Sequence, residues 1–356
     1  MSEWKEISTL LLAWAIIAAI GALFSITLMR LAPGSGAILP AQRRRAIPWT
    51  GAEVLLAFLI FFFLPFFIVP YVDPAIVASW IQGPNADPAI GKKLAPGIAT
   101  LIALPLQIAL WYGVAYLAGG PRPVFGIMPR RFPTDFIAGY CAWLILSPVV
   151  FVINVTAAIL FSRLHAGPLD EHPIVKLLQS GPASVSLYVL LFAQAVVVAP
   201  IREELFFRGI LQPYLADSAW AGIPALGLAS FIGVLGHWPG GVSFNDPITI
   251  LDAAGPALLV LAALPLYLWI DEWLPQKWLP IHDPVARRQA ARGIVATAVL
   301  FANFHANIWP TPVALFVLAL GLGWLAYRTQ SVVASIVLHV LFNTITILTL
   351  LRPALN

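Results

Sequence analysis

Apolar residues gather along this chain in ten long blocks, near residues 8–29, 52–72, 97–117, 136–162, 184–200, 219–236, 251–270, 292–308, 312–327 and 331–351. A helix needs about 20 apolar residues to cross a hydrocarbon layer, so each block is predicted to be one spanning helix. The blocks at 219–236 and 251–270 carry Pro224, Pro256 and Pro265 together with several glycines. Bilayer helices tolerate both residue types. The first block is too long for the core of a signal peptide and no small-residue cleavage site closes it, which predicts a retained helix. The expected fold class is all-α: a polytopic membrane helix bundle of about ten transmembrane helices.

Composition agrees. Of 356 residues, 60% are hydrophobic and 10% charged, against roughly 45–50% and about 25% in an ordinary soluble domain. A soluble globule of this size cannot hide so much apolar surface, and a disordered chain would be poor in apolar residues. Lys and Arg number 20 against 16 Asp and Glu. No basic run is long enough to track phosphates, so no nucleic-acid partner is expected; Arg43, Arg44 and Arg45 read as a cytoplasmic anchor. Cys141 is the single cysteine, which excludes an internal disulfide and a multi-cysteine metal site, and its apolar surroundings predict simple packing.

Loop charge sets an orientation. One set of alternate loops holds Arg30, Arg43, Arg44, Arg45, Arg122, Arg130, Arg131, Arg202, Arg208, Lys277, Arg287, Arg288, Arg292 and Arg328. The other holds Lys5, Lys92, Lys93, Arg163, Lys176 and Arg352. The larger set is expected on the cytoplasmic side, with both termini outside. The expected location is a multi-pass cell-membrane protein in contact with the lipid bilayer, with Arg202 and Arg208 at the inner face.

Ionisable groups at membrane depth are costly, so each is a functional candidate. Three clusters stand out: Arg202-Glu203-Glu204-Leu205-Phe206-Phe207-Arg208 directly after one block, Phe301-Ala302-Asn303-Phe304-His305 within another, and His339-Val340-Leu341-Phe342-Asn343 within the last. Glu204 and Arg208 are i,i+4 on one helix face and can pair. His339 and Asn343 are also i,i+4, and Phe301 lies one turn before His305. Such groups on separate helices of a bundle can converge on an interior polar cavity. There a carboxylate and a neutral imidazole can hold a water, the carboxylate taking its proton as it attacks a carbonyl. A second imidazole and an amide N–H can donate to the developing oxyanion. No serine or cysteine is placed as a nucleophile.

The ordered set Glu203-Glu204-x-x-x-Arg208, Phe301-x-x-x-His305 and His339-x-x-x-Asn343 resembles the CPBP family. That family comprises type II CAAX prenyl endopeptidases and bacteriocin-processing or immunity-associated membrane proteins. The stretch through Phe316, Leu318, Leu320-Gly321, Gly323, Tyr327-Arg328-Thr329, Ser331 and Ile336 resembles the family's spacer between its second and third motifs. The resemblance covers about residues 184–347. It implies Glu203 as general base, His305 as a holder of the water, His339 and Asn343 as the oxyanion site, and Glu204 and Arg208 as supporting residues. It implies a first region, 1–180, of about four spans and a second, 181–350, forming the catalytic bundle. The first and second motifs lie about 100 residues apart instead of the family's usual 30–40. An inserted segment at about 236–292 is therefore expected, and His237 is the alternative second-motif histidine.

Taken singly, Glu204 and Arg208 read as a juxtamembrane ion pair, each histidine as a bonded core residue and Asn343 as interhelical glue. One Glu and two His also suit zinc, but His-Glu-x-x-His is missing; no metal or other cofactor is expected, with zinc as the alternative. The function expected is hydrolysis of a peptide bond in a membrane-associated, prenylated or small precursor peptide or a membrane-anchored protein. A non-catalytic binding or immunity protein and a proton-relay transporter are the rival readings.

Overall fold

A computed structural model of the chain describes residues 47–84, 86–120, 124–165, 184–218, 220–236, 247–273, 279, 281 and 283–355, with single positions at 19, 21 and 23. The rest of the first block, Arg43, Arg44 and Arg45, and His172, His237 and His282 lie outside the described residues. The described chain is all-helical and has no strands. Its helices are α1 Gly51–Ile68, α2 Pro74–Gln82, α3 Pro88–Leu117, α4 Phe132–His165, α5 Val185–Asp217, α6 Gly222–Gly236, α7 Pro247–Trp273, α8 Pro284–Asn303, α9 Thr311–Thr329 and α10 Val333–Leu355. Every predicted block from 52–72 onward falls on one of them.

Among the described residues, five segments are long and apolar enough to cross a membrane: Gly51–Tyr71, Pro88–Leu117, Pro129–Arg163, Val185–Asp217 and Thr311–Thr329. Gly222–Leu235, Ala254–Ile270 and Val333–Thr349 are shorter apolar helices. The chain is a membrane helix bundle. Capping residues, more than hydropathy, fix where helices begin. Asp87 accepts from Ala89 N at 2.9 Å and Asp283 from Val285 N at 2.9 Å, each with proline at the first helical position. Both helices therefore start well ahead of their apolar blocks, as a carboxylate cap followed by proline favours. α5 does the reverse and runs on to Asp217, so the Arg202–Arg208 cluster lies inside a helix, not after one.

The chain divides into two compact units. The first, residues 45–127, 171–210 and 339–356, contains α1, α2, α3, most of α5 and α10 from His339 on. Along α3, Ala99, Ala103, Gln107, Trp111 and Ala115 recur every fourth residue and are all buried. They form a stripe of mostly small residues that admits α1 closely, and the Trp111 indole N–H donates to Ala57 O at 3.2 Å. On α1, Val54, Ala57, Phe61 and Pro65 are buried, whereas Leu55, Leu59, Phe63, Phe66 and Phe67 are exposed, a face suited to lipid. A second layer packs Val77, Ala78 and Ile81 of α2 with Ile90 and Leu94 of α3 and Leu187, Leu190 and Leu191 of α5.

The second unit, residues 1–44, 128–170 and 211–338, holds α4, the end of α5, α6 to α9 and the start of α10. α8 is its central helix: from Ala290 to Asn303 every residue but Arg292 is buried. It packs on α6, α7, α9 and the Gln212–Asp217 turns of α5. Cys141, on α4, is buried as expected.

At Gly91 a Cβ would collide with the Pro74 carbonyl, whereas one at Gly113, on the same helix, would meet nothing. Gly91→Ala should therefore cost about 1–3 kcal/mol by overpacking, and Gly113→Ala should be neutral or stabilising by up to ~1 kcal/mol. Thermal unfolding of the two variants in detergent checks this; equal effects would mean the α2–α3 contact is not made.

Candidate active site

The site in the first unit begins with an irregular helix. In α5, Ala193–Val198 and Glu204–Leu211 are π-helical turns on either side of the α-helical Ala199–Glu203. Such wide turns recur at functional sites. Here the first has a definite consequence. The N–H of Ala199 donates to Gln194 O, one residue back from its α-helical acceptor, so Ala195 O loses its usual donor. The next residue, Pro200, has no N–H to give. The orphaned carbonyl of Ala195 instead accepts the Asn343 side-chain amide at 2.7 Å. The third-motif asparagine is thereby fixed against the helix that carries the first motif, with one amide N–H still unspent.

One turn N-terminal to Asn343, His339 meets both glutamates. Glu204 Oε1 accepts from Arg208 Nη1 at 2.9 Å and from His339 Nδ1 at 2.9 Å. Glu204 and Arg208 side chains are fully buried. Paired with the guanidinium, Glu204 is a carboxylate and can only accept, so His339 carries its proton on Nδ1. Its Nε2 then faces Glu203, whose Oε2 is 3.9 Å away. That Oε2 is buried with no hydrogen-bond partner in the protein. The separation is too long for a direct hydrogen bond. A water bonded to both atoms at about 2.8 Å fits it.

Arg202 anchors the same turn from the other side. Pro65 interrupts α1, and a proline inside a helix deprives the carbonyl four residues back of its donor; here that carbonyl is Phe61 O. It accepts from Arg202 Nη2 and from Gln107 Nε2 at 3.1 Å, and Gln107 also donates to Ile60 O at 2.9 Å. The Arg202 guanidinium lies 3.9 Å above the Phe61 ring, and that ring stacks on Phe206 at 4.7 Å. Two helices N-terminal to the motifs thus hold Arg202 beside Glu203. The sequence placed Arg202 in the first cluster and among the inner-face charges without a role of its own, and Gln107 drew no notice there. The signals were present: a lone amide in the apolar block 97–117, and a proline four residues after Phe61.

His305 belongs to the second unit. It sits just past the C-terminus of α8, not within it, because the chain tightens there and His305 N donates to Ala302 O at 3.0 Å. Phe301 O, left without that donor, accepts the His305 Nδ1–H at 2.9 Å. A carbonyl can only accept, so Nε2 of a neutral His305 is a bare acceptor. The Phe301 ring lies beside the imidazole at 5.0 Å, one turn away as the spacing predicts. Asn303 is buried and packs against Gly233 of α6, where a Cβ would collide with its Oδ1.

For zinc, Glu203 and Nε2 of His339 would supply two ligands. Among the described residues, no group of three or more His, Cys, Asp and Glu is placed to hold a metal ion. His339 Nδ1 is committed to Glu204.

The family model described as "Type II CAAX prenyl endopeptidase Rce1-like" matches residues 184–270 and 253–345. The first stretch contains Glu203, Glu204 and Arg208, and the second contains His305, His339 and Asn343. No curated protein and no solved structure matches the chain. The family match thus lies within residues 184–345, the C-terminal part of a chain whose described helices include several long and apolar enough to cross a membrane.

Removing one member of a buried ion pair strands the other charge, at roughly 3–5 kcal/mol, whereas replacing both by apolar groups is often near neutral. Arg208→Ala should therefore lower the unfolding midpoint sharply, and Arg208→Met with Glu204→Leu should recover much of the loss. Thermal unfolding of single and double variants checks this. A double variant no more stable than Arg208→Ala alone would contradict the pairing.

Proposed function

We propose that this chain, whose C-terminal region is Rce1-like and of the CPBP family, is a glutamate-dependent endopeptidase of the membrane. Its substrate is a membrane-associated or prenylated peptide, a membrane-anchored protein or a small precursor peptide. The observation that carries the reading is the unpartnered Glu203 Oε2 facing His339 Nε2 across 3.9 Å, a gap that a water fits.

Glu203 accepts a proton from that water as its oxygen attacks the scissile carbonyl carbon. The carbonyl oxygen becomes an oxyanion. The unspent amide N–H of Asn343 donates to it, and so does Nε2 of a His339 that has taken a second proton from bulk water, its Nδ1–H held by Glu204. Glu203 then returns its proton to the departing amine as the C–N bond breaks. Glu204 and Arg208 act through His339 and are positioning residues. The motif resemblance adds His305 as a further acceptor for the water. No metal takes part in this scheme, and activity should survive a chelator. The Lys and Arg bias between alternate segments supports a cytoplasmic first motif in a chain that crosses the cell membrane several times.

Glu203→Gln keeps the shape and removes the base. It should lower cleavage of a prenylated or membrane-anchored test peptide by about 10²–10⁴-fold with the unfolding midpoint retained. Asn343→Ala should cost about 10²–10³-fold, mainly in kcat. Mass-spectrometric detection of both cleavage products by the purified protein is the measurement. Full activity of Glu203→Gln would reject this reading.

A further inference from the structure

The Tyr327-Arg328-Thr329 stretch is singled out by its sequence and takes no part in the chemistry above. Arg328 lies near the C-terminus of α9 and is only 2% exposed. Its Nε and Nη1 are buried with no hydrogen-bond partner. Its guanidinium lies over the Trp324 ring, one turn back, with Cζ 5.9 Å from the centroid. Among the described residues no carboxylate pairs with it. A buried cation without a counter-ion is strongly unfavourable, which points to an anion from outside the chain.

A second arginine stands on the facing stripe. Arg287, Ala291 and Ile294 recur at i, i+4 and i+7 on α8, one face of the helix. Ala291 and Ile294 pack against Leu320, Trp324 and Tyr327 of α9, and Arg328 follows Trp324 by one turn on that same stripe. α8 and α9 are joined by a short connection and run antiparallel, so the start of α8 and the end of α9 share one end of the second unit. Arg287 Nε is also buried without a partner. The nearest acidic residue in sequence, Asp283, is exposed and spent on capping α8.

We propose that Arg287 and Arg328 form a phosphate site between α8 and α9, occupied by the headgroup of an anionic phospholipid. Guanidinium pairs suit phosphate oxygens. Basic pockets between spanning helices near the cytoplasmic surface take anionic headgroups, and the Lys and Arg bias of the sequence favours that side for this end. An indole beside the site, Trp324, suits the headgroup level of a bilayer. The proposal is independent of the peptidase reading, because none of these residues belongs to the Glu203 site.

The full-length chain, purified in neutral detergent, is unfolded thermally with added phosphatidylglycerol, with phosphatidylcholine, or with inorganic phosphate. Phosphatidylglycerol should raise the midpoint by about 3 °C or more over phosphatidylcholine. Arg328→Gln should abolish that rise without lowering the lipid-free midpoint, because it removes an unpaired buried charge. Arg287→Gln, at the more accessible position, should at least halve it. Equal midpoints in the two lipids, a full rise in both variants, or a lipid-free Arg328→Gln protein of lower midpoint would overturn the proposal. A matching rise from inorganic phosphate would overturn the lipid assignment.

Discussion

A single buried carboxylate holds the site together. Glu204 lies between Arg208, one helical turn on, and His339, 135 residues away, with 2.9 Å to each. Its ion pair keeps it charged in a low-dielectric setting, and its charge fixes the proton of His339 on Nδ1. The other imidazole nitrogen is then turned toward Glu203. Without that carboxylate nothing specifies the ring's tautomer or direction. The two adjacent glutamates thus divide the work: the buried one orients, and the more accessible one faces the gap where a water fits.

The second organising constraint is that membrane helices must satisfy every backbone carbonyl internally. Two prolines break this rule locally, and side chains repair it. Pro65 leaves Phe61 O to Arg202 and Gln107, and Pro200, with the π-helical turn before it, leaves Ala195 O to Asn343. In each case the repair binds a motif residue to a neighbouring helix. α1 and α3 lie outside the family match, at residues 184–345, and still belong to the unit that holds Glu203, through the anchor on Arg202.

Much of this was legible in the sequence. The apolar blocks gave every described helix but α2, and the i,i+4 spacings gave both the Glu204–Arg208 pair and the packing of Phe301 beside His305. What hydropathy could not give were the helix starts, because Asp87 and Asp283 cap polar turns that precede the apolar runs. Nor could an ideal 3.6-residue period reveal the π turns of α5, which decide that Ala195 O is the partner of Asn343. The link between Glu204 and His339 is a long-range contact, and no local spacing encodes it. Gln107 and Pro65 were readable in principle, as a lone amide and a missing donor in otherwise apolar helices. Their partners were not.

In the proposed reaction a solvent molecule is held by Glu203 and His339 for attack. This is tested most directly by an experimental density map of the purified protein fine enough to resolve ordered water. A water is expected within hydrogen-bond distance of both Glu203 Oε2 and His339 Nε2, with Nδ1 of the same ring on Glu204. A map in which the Glu203 carboxylate is turned onto another protein group, with apolar side chains filling the space beside His339, would contradict it.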